Sequence, residues 1–177
     1  MIASTATQET IRTATQRARR AMELRATVGR GTAHTRARVE DGLTCRVEDG
    51  DWHLTADMPE KVGGGGQGPD PGVYARTGLA TCLAVGYSLW AAEKGVPLTS
   101  LEVEVEADYD ARPEFGMGDQ PPGYEALRWT VRVESPEPRE RVEEVLATAE
   151  ACSPLLALFR EPQRIERSVR INEETED

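Results

Sequence analysis

The chain of 177 residues suits a single domain with a sizeable core, and its 38% hydrophobic and 29% charged residues are typical of a globular protein. The first ten residues lack the pattern of a signal peptide, and the longest uncharged run, 77–92, is too short and too rich in Gly, Thr and Ser to span a membrane. Three cysteines without metal-type spacing fit a reducing cytoplasm better than a secreted disulfide framework. We therefore expect a cytoplasmic protein.

The net charge of −10 is unevenly distributed along the chain. Residues 1–40 hold eight Arg and three acidic residues, whereas the remainder holds 13 basic and 28 acidic residues. A basic segment attracts nucleic acid, but the acidic remainder would repel phosphate. We therefore favour a basic arm that docks on an acidic surface, its own or a partner's, over nucleic-acid binding by residues 10–38.

The N-terminal part predicts a polar helix followed by short strands. Residues 6–22 have the composition of an Arg-rich helix with few apolar anchors, which indicates an arm on the surface. Turn signals then separate three predicted antiparallel strands at 24–29, 32–40 and 43–57, the last interrupted near Gly50. The predicted organisation is an arm at 1–22, one domain at 23–172 and an acidic tail at 173–177.

A glycine-rich loop, 63–69, leads into the most informative element of the sequence. Asp70 suits a helix N-cap, Pro71 suits the first helical position, and Gly95 suits the residue after the helix end. Residues 77–92 carry no charge. Because a helix that is apolar on all sides is buried, we predict a central helix covered by a sheet on one side and by a second sheet or subunit on the other.

Two later segments predict a pair of antiparallel strands. Residues 101–107 (LEVEVEA) and 127–133 (LRWTVRV) both alternate apolar and polar side chains. Pairing them would place Glu102, Glu104 and Glu106 on the same outer face as Arg128, Thr130 and Arg132. A long loop rich in Pro and Gly connects the two segments.

The C-terminal part predicts two helices and a closing strand. Residues 138–151 form an amphipathic pattern that directs Val142, Val145, Leu146 and Ala149 inward. Ser153-Pro154 begins a short helix, and alternation over 165–171 indicates a last strand. The order of elements predicts an α+β domain with antiparallel sheets around a long central helix.

Among the groups that carry chemistry, the cysteines are the strongest candidates. The glycine-rich loop lacks the Lys-Ser/Thr pair of a phosphate loop, and the two histidines, His34 and His53, lie outside any cluster with ligand spacing. We therefore expect neither metal nor cofactor. Cys82 lies mid-helix between Gly78 and Gly86, each one turn away, which indicates close helix packing or a small cavity beside the sulfur.

The thiol of Cys82 has two interpretations. A buried cysteine is commonly a small hydrophobic residue. A reactive thiolate this far from the helix start gains little from the helix dipole and would need a nearby arginine.

Seven signals occur in a fixed order along the chain: Asp57-Met58-Pro59, the glycine-rich loop, Gly68-Pro69-Asp70-Pro71, Leu79-Ala80-Thr81-Cys82, Ala91 to Leu98 (AAEKGVPL), the LEVEVEA strand and Ser153-Pro154-Leu155. As an ordered set they resemble the OsmC/Ohr family, whose characterised members reduce organic hydroperoxides with a pair of cysteines. The resemblance covers about 24–172, nearly all of the chain except its two ends.

The resemblance implies an intertwined homodimer that exchanges N-terminal strands around two central helices. It places Cys82 at the position of the peroxide-attacking cysteine. An activating arginine would come from the N-terminal strands, with Arg30 our first choice and Arg36 and Arg38 as alternatives. Arg76, one and a half turns before Cys82, is a further candidate cation on a different side of the helix.

Two positions depart from the family pattern. The family's glutamate, nine or ten residues before the cysteine, is replaced by Val73 or Gly72. The second cysteine, which directly precedes a proline, is replaced by Ser153, with Cys152 one residue earlier. One helical step turns a side chain by about 100°, which bears on whether Cys152 faces Cys82.

Two functional hypotheses follow. In the first, Cys82 attacks an organic hydroperoxide, Cys152 or another thiol resolves the sulfenic acid, and a thiol reductant restores the enzyme. In the second, a non-catalytic OsmC-like dimer binds a small apolar molecule near Cys82. The missing carboxylate favours the second hypothesis, and the retained Cys82 with a nearby Cys152 favours the first.

Overall fold

A computed structural model describes residues 5–172. Two antiparallel sheets, β1-β2-β3 and β4-β5, and four helices confirm the predicted α+β class. No helix within this range is both long and apolar enough to cross a membrane. In chain order the elements are α1 (Thr5–Leu24), β1 (Thr35–Asp41), β2 (Thr44–Asp49), β3 (Trp52–Ala56), α2 (Pro71–Lys94), β4 (Ser100–Tyr109), β5 (Tyr124–Glu134), α3 (Arg139–Ala151) and α4 (Pro154–Arg160).

The boundaries of α2 follow the predicted capping residues. The Asp70 carboxylate accepts a hydrogen bond from the backbone N–H of Val73 at 2.9 Å, and Pro71 opens the helix. Gly95 ends it with φ 64°, a conformation that glycine adopts without steric cost. Local sequence signals alone therefore define both ends of this helix.

The strands β4 and β5 pair as predicted, with the charged side chains on a shared outer face. Glu102 lies opposite Arg132, Glu104 opposite Thr130, and Glu106 opposite Arg128. Arg132 bonds to Glu104 at 2.8 Å on the solvent side. Exposed ion pairs of this kind contribute at most about 1 kcal/mol each. The register therefore depends mainly on the inner face, where Leu101, Val103 and Val105 pack on the core.

The core lies where one side of α2 meets the β4-β5 sheet and the C-terminal helices. Leu79, Leu83 and Tyr87 are buried at helical spacing along α2. Trp129 and Val131 pack against them from β5. Helix α3 contributes the residues predicted to face inward: Val142, Val145 and Ala149 are buried, and Leu146 is partly buried.

Two predicted strands are absent from the described chain. Residues 26–29 form turns after α1, with the Val28 N–H bonded to the Arg25 carbonyl at 3.0 Å, so the strand prediction for 24–29 was wrong. Residues 165–171 have no regular structure, and Ile165 is 88% exposed. Alternation alone predicts a strand only where a neighbouring strand edge is available. The predicted interruption near Gly50 is confirmed, because it separates β2 from β3.

The rest of α2 is not covered within the single chain. Thr77, Thr81 and Val85 form an exposed row at helical spacing, and Val85 is 65% exposed. In the three-stranded sheet, β1 is exposed along its whole length and Trp52 of β3 is 74% exposed. Complete burial of the central helix therefore stays a prediction that requires a second subunit.

Helix α1 confirms that the basic arm has an acidic contact on its own chain. Arg19 bonds to the Glu93 carboxylate at 2.9 Å and lies over the Trp90 ring, 5.0 Å from its centroid. The side chain of Glu93 is only 7% exposed. The arm is therefore held against the C-terminal end of α2 by one ion pair and one cation–π contact.

The carboxylate of Asp57 organises the glycine-rich loop. It is buried and accepts hydrogen bonds from Thr44 Oγ1 at 2.8 Å and from the backbone N–H groups of Met58, Gly65 and Gln67 at 2.7 to 3.3 Å. Because these amides already bind a carboxylate, they are not free to cradle a phosphate. The loop is thus a structural clamp.

Two glycines of the loop are required by close backbone contacts. A Cβ at Gly64 would lie 1.8 Å from the Met58 carbonyl oxygen, and one at Gly68 would lie 2.3 Å from the Thr55 carbonyl oxygen. Neither position has room for a side chain unless the backbone moves. The loop's composition therefore reflects packing around Asp57.

The hydrogen bonds to Asp57 make its contribution to the stability of the fold depend on pH. The Gln67 N–H first, and then Thr44, Met58 and Gly65, lower the pKa of Asp57 against the opposing effect of burial. A carboxyl whose pKa is lower in the folded state stabilises the fold above its unfolded-state pKa of about 4. That stabilisation is lost as the pH falls through the lower folded-state pKa.

We predict that Asp57→Asn lowers the free energy of unfolding at neutral pH, because an amide NH₂ would face backbone donors. The difference from wild type should begin to shrink below about pH 4, the pKa of the unfolded state, and should disappear once the pH falls through the lower folded-state pKa of Asp57. Urea unfolding at several pH values measures this. Asp51→Asn, at an exposed turn position, is the matched control and should be nearly neutral throughout. A pH-independent difference for Asp57→Asn would contradict the clamp.

Candidate functional site around Cys82

Cys82 lies in the middle of α2, half-buried beside the start of α4. Its Sγ is 3.5 Å from the Oγ of Ser153. Within residues 5–172 this hydroxyl is the only side-chain group that forms a hydrogen bond with the sulfur. The hydrogen-bond partner of the thiol among the described side chains is therefore an almost fully buried hydroxyl group.

Ser153 is held in place by its role as the N-cap of α4. Its Oγ accepts a hydrogen bond from the Leu156 N–H at 3.2 Å, and Pro154 occupies the first helical position. Because an oxygen lone pair is used for the cap, the hydroxyl proton remains available for the Cys82 sulfur. A helix cap thus holds a hydroxyl group that is able to donate in hydrogen-bond contact with the thiol.

The glycines beside Cys82 allow the C-terminal helices to approach α2. A Cβ at Gly78 would lie 3.1 Å from Leu155 Cδ1, and one at Gly86 would lie 3.9 Å from Ala149 Cβ. Of the two predicted explanations for these glycines, the structure shows close helix packing. That packing brings the α3–α4 junction, and with it Ser153, onto the sulfur.

Cys152 lies at the C-terminal end of α3 and is exposed. Its backbone N–H bonds to the carbonyls of Thr148 and Ala149, both at 3.2 Å. All three cysteines are free, and Cys45 lies in β2, distant in sequence from the α3–α4 junction. Of the two neighbouring residues at this junction, the structure brings Ser153 against Cys82 and leaves Cys152 at the surface.

The predicted activating arginines are exposed. Arg30 follows the turns after α1, and Arg36 and Arg38 lie on β1. None of the three forms an ion pair within residues 5–172. In the single chain they are not brought together with Cys82.

The position of the family's missing glutamate is filled by a different network. A Cβ at Gly72 would lie 3.1 Å from Asp70 Oδ1, 3.2 Å from Arg76 Nη1 and 3.4 Å from the Tyr124 hydroxyl. Arg76 donates to the Tyr124 oxygen at 3.2 Å, and that hydroxyl donates to the Gly72 carbonyl at 3.0 Å. Arg76 is therefore engaged with the start of its own helix and the β4–β5 unit.

Tyr87 connects α2 to the end of α3 below the site. Its hydroxyl donates to Glu150 Oε1 at 2.9 Å, and the ring is fully buried. Burial first, and then the Glu150 carboxylate, raise the pKa of Tyr87 well above its usual value. The phenol therefore remains a protonated donor that fixes α3 three residues before Ser153.

A metal cluster and a surface groove are two other possible kinds of binding site. Within the described range, no group of three or more His, Cys, Asp and Glu side chains could hold a metal ion. An open groove of about 540 Å³ lies instead along β1 and β2. It is lined by His34, Thr35, Arg36, Ala37, Glu48 and Gly50.

Sequence reasoning located Cys82 but missed two features of its surroundings. The contact between Ser153 and the sulfur, and the Arg76–Tyr124 pair, both depend on tertiary packing. Ser-Pro was recognisable as a cap, but nothing in it indicates which helix the hydroxyl faces. The site is thus a thiol on a central helix of an α+β protein, backed by a capping serine.

These features define an α+β protein with a cysteine-bearing central helix, and comparison with known proteins identifies the family. A family model described as OsmC-like protein matches residues 64–168, so the chain belongs to the OsmC-like family, as the motifs had indicated. No curated protein matches the chain.

Solved structures share the fold at low sequence identity. An OsmC-like protein from Mycoplasma pneumoniae has a TM-score of 0.62 and 17% identity, covering 73% of this chain and 88% of its own. An organic hydroperoxide resistance protein OsmC from Legionella pneumophila has a TM-score of 0.53 and 22% identity, covering 73% and 90%. An OsmC-like hydroperoxide resistance protein from Jannaschia has a TM-score of 0.51 and 17% identity, covering 80% and 93%.

We predict that Ser153→Ala lowers the free energy of unfolding by about 1 kcal/mol, the usual contribution of a serine N-cap. Ser153→Thr retains a capping hydroxyl, so its free energy of unfolding should fall by only a few tenths of a kcal/mol. Urea unfolding monitored by tryptophan fluorescence compares the three proteins. Equal stability of wild type and Ser153→Ala would show that the cap contributes nothing.

Proposed function

We propose that this protein reduces organic hydroperoxides with Cys82 as the attacking thiol. The carrying observation is the half-buried Cys82 sulfur on α2 with the Ser153 hydroxyl 3.5 Å away. Family membership supports the proposal, as do fold neighbours that are named for hydroperoxide resistance. Three free cysteines also support a reducing, cytoplasmic location.

The proposed chemistry is a two-electron reduction of the peroxide. The Cys82 thiolate attacks one oxygen of the O–O bond, that bond breaks, and the second oxygen leaves as an alkoxide that takes a proton to form the alcohol. Cys82 becomes a sulfenic acid. A thiol then condenses with it, releasing water and forming a disulfide, and further thiol restores Cys82.

Ser153 assists the first step as a hydrogen-bond donor. A hydrogen bond to sulfur favours the thiolate over the thiol, because the charged form is the better acceptor. This single neutral donor is weaker than a cation. We therefore propose that an arginine, with Arg30 first and Arg36 and Arg38 as alternatives, completes the site when two chains assemble.

The proposed assembly is a homodimer. The uncharged row at Thr77, Thr81 and Val85 and the exposed strand β1 give the chain two surfaces that a second subunit would cover. Burying apolar area stabilises an interface at roughly 25 cal/mol per Å². A dimer would also bring arginines of one chain towards the thiol of the other.

We predict that the protein is a dimer in solution and that Val85→Asp produces monomers, because a carboxylate on the uncharged row resists burial. Size-exclusion chromatography with light scattering measures the mass, and circular dichroism checks that the variant is folded. Phe115→Asp is the control, since Phe115 is similarly exposed (61%) but lies in the β4–β5 loop. A monomeric wild type, or a dimeric Val85→Asp, would contradict this arrangement.

We predict that the reduced protein consumes stoichiometric cumene hydroperoxide and that Cys82→Ser slows this by about 100-fold or more, because a hydroxyl is a poor nucleophile at neutral pH. Cys45→Ala, which removes a thiol from β2, should react like wild type. Peroxide assay and peptide mapping by mass spectrometry give the rate and the modified sulfur. Unmodified Cys82, with the same thiol-probe reactivity in folded and unfolded protein, would exclude the proposal.

A second candidate function is a non-catalytic dimer that binds a small apolar molecule near Cys82. The observation that favours it is Gly72, whose position offers no carboxylate to orient an activating arginine. A fold neighbour from Vibrio cholerae, a putative organic hydroperoxide resistance protein with 19% identity, was solved with captopril bound in one of its active sites. The peroxide experiment separates the two functions, because a binding protein would leave the hydroperoxide intact.

A further inference from the structure

The residue that contacts the Cys82 sulfur cannot form a disulfide. A disulfide requires two sulfur atoms about 2.05 Å apart with suitably placed Cβ atoms. The group 3.5 Å from Cys82 Sγ is instead the hydroxyl of Ser153. The side chain best placed to meet an oxidised Cys82 is therefore chemically unable to resolve it.

Cys152 is kept from that position by the backbone of the α3–α4 junction. Its N–H completes the end of α3, and the next residue, Ser153, starts α4 through its side chain and through its carbonyl, which accepts from the Ala157 N–H at 3.0 Å. Turning the exposed Cys152 towards Cys82 would break these capping bonds and withdraw a buried serine. The packing therefore favours a surface position for the Cys152 thiol.

We propose that the sulfenic acid of Cys82 is resolved by a small-molecule thiol from solution. This inference rests on the proposed attack of Cys82 on the peroxide. The first thiol, RSH, forms a Cys82–S–S–R bond and releases the sulfenic oxygen as water. A second RSH attacks that disulfide and yields RSSR and reduced Cys82. Two RSH thus supply the two electrons that reduce the hydroperoxide.

The surroundings of Cys82 suit a small thiol. The sulfur is half-buried in the single chain, and the proposed dimer would cover the neighbouring Thr81 and Val85 and so narrow access to it further. Ser153 can donate its hydroxyl proton to the sulfenate oxygen and so keep that intermediate in place until a thiol arrives. A sulfur with such restricted access admits a compact thiol more readily than a cysteine on the surface of a folded protein.

The test treats the full-length reduced protein with one equivalent of cumene hydroperoxide and no added thiol, and then traps products with dimedone for peptide mapping. We expect a dimedone adduct on Cys82 and no Cys82–Cys152 disulfide. Added glutathione, used as the probe thiol, should replace the adduct with a mixed disulfide on Cys82. It should also raise peroxide turnover by at least about tenfold over protein alone.

The Ser153→Cys variant provides the matched gain of function. It places a sulfur where the contacting hydroxyl now lies, so peroxide should produce a disulfide between Cys82 and the introduced sulfur. Its dimedone adduct should be lost. Cys45→Ala should behave as wild type, because its thiol lies in β2.

The outcomes separate the two proposals. If Cys82 is not oxidised, the proposed reaction of Cys82 with the hydroperoxide is itself wrong. An oxidised Cys82 joined to Cys152 leaves that reaction standing and overturns the external thiol. Turnover that requires a protein dithiol, such as reduced thioredoxin, and fails with glutathione overturns the assignment to a small molecule.

Discussion

The central constraint on this molecule is the absence of charge along sixteen consecutive helical positions, 77–92. One row of α2 meets this constraint inside the chain, where Leu79, Leu83 and Tyr87 pack against the β4-β5 sheet and the C-terminal helices. The opposite row, which includes Val85, has no such cover within the described chain. The contrast between a buried row and an exposed row explains why Cys82 is only half-buried, and it is the basis of the proposed dimer.

The sequence predicted most of the elements that depend on local chemistry. Asp70, Pro71 and Gly95 predicted the ends of α2, and strict alternation predicted which side chains of β4 and β5 share the outer face. The strands predicted at 24–29 and 165–171 do not form in the described chain. A strand there would need the edge of a neighbouring strand, and the local sequence does not show whether one is present. Their segments lie exposed in the single chain.

The site was predictable only in part for the same reason. Cys82 could be selected because of its motif and its flanking glycines. The contact with Ser153 could not, because it joins residues 71 positions apart through the packing of Gly78 against Leu155. Spacing placed Cys152 one residue before the position of the family's second cysteine, but only the fold shows that the Ser153 hydroxyl lies beside the Cys82 sulfur.

The Asp57 clamp has a mechanical consequence for assembly. It joins the end of β3 to the loop before α2, and Tyr74 in the first turn of α2 donates to the Thr55 carbonyl at 2.7 Å. These hydrogen bonds therefore fix the three-stranded sheet relative to α2. In the proposed dimer, this sheet would help to cover the central helix of the second chain. If this junction were flexible, association would have to order it at a cost in conformational entropy. Because the junction is already fixed, the strands are oriented before a second chain binds.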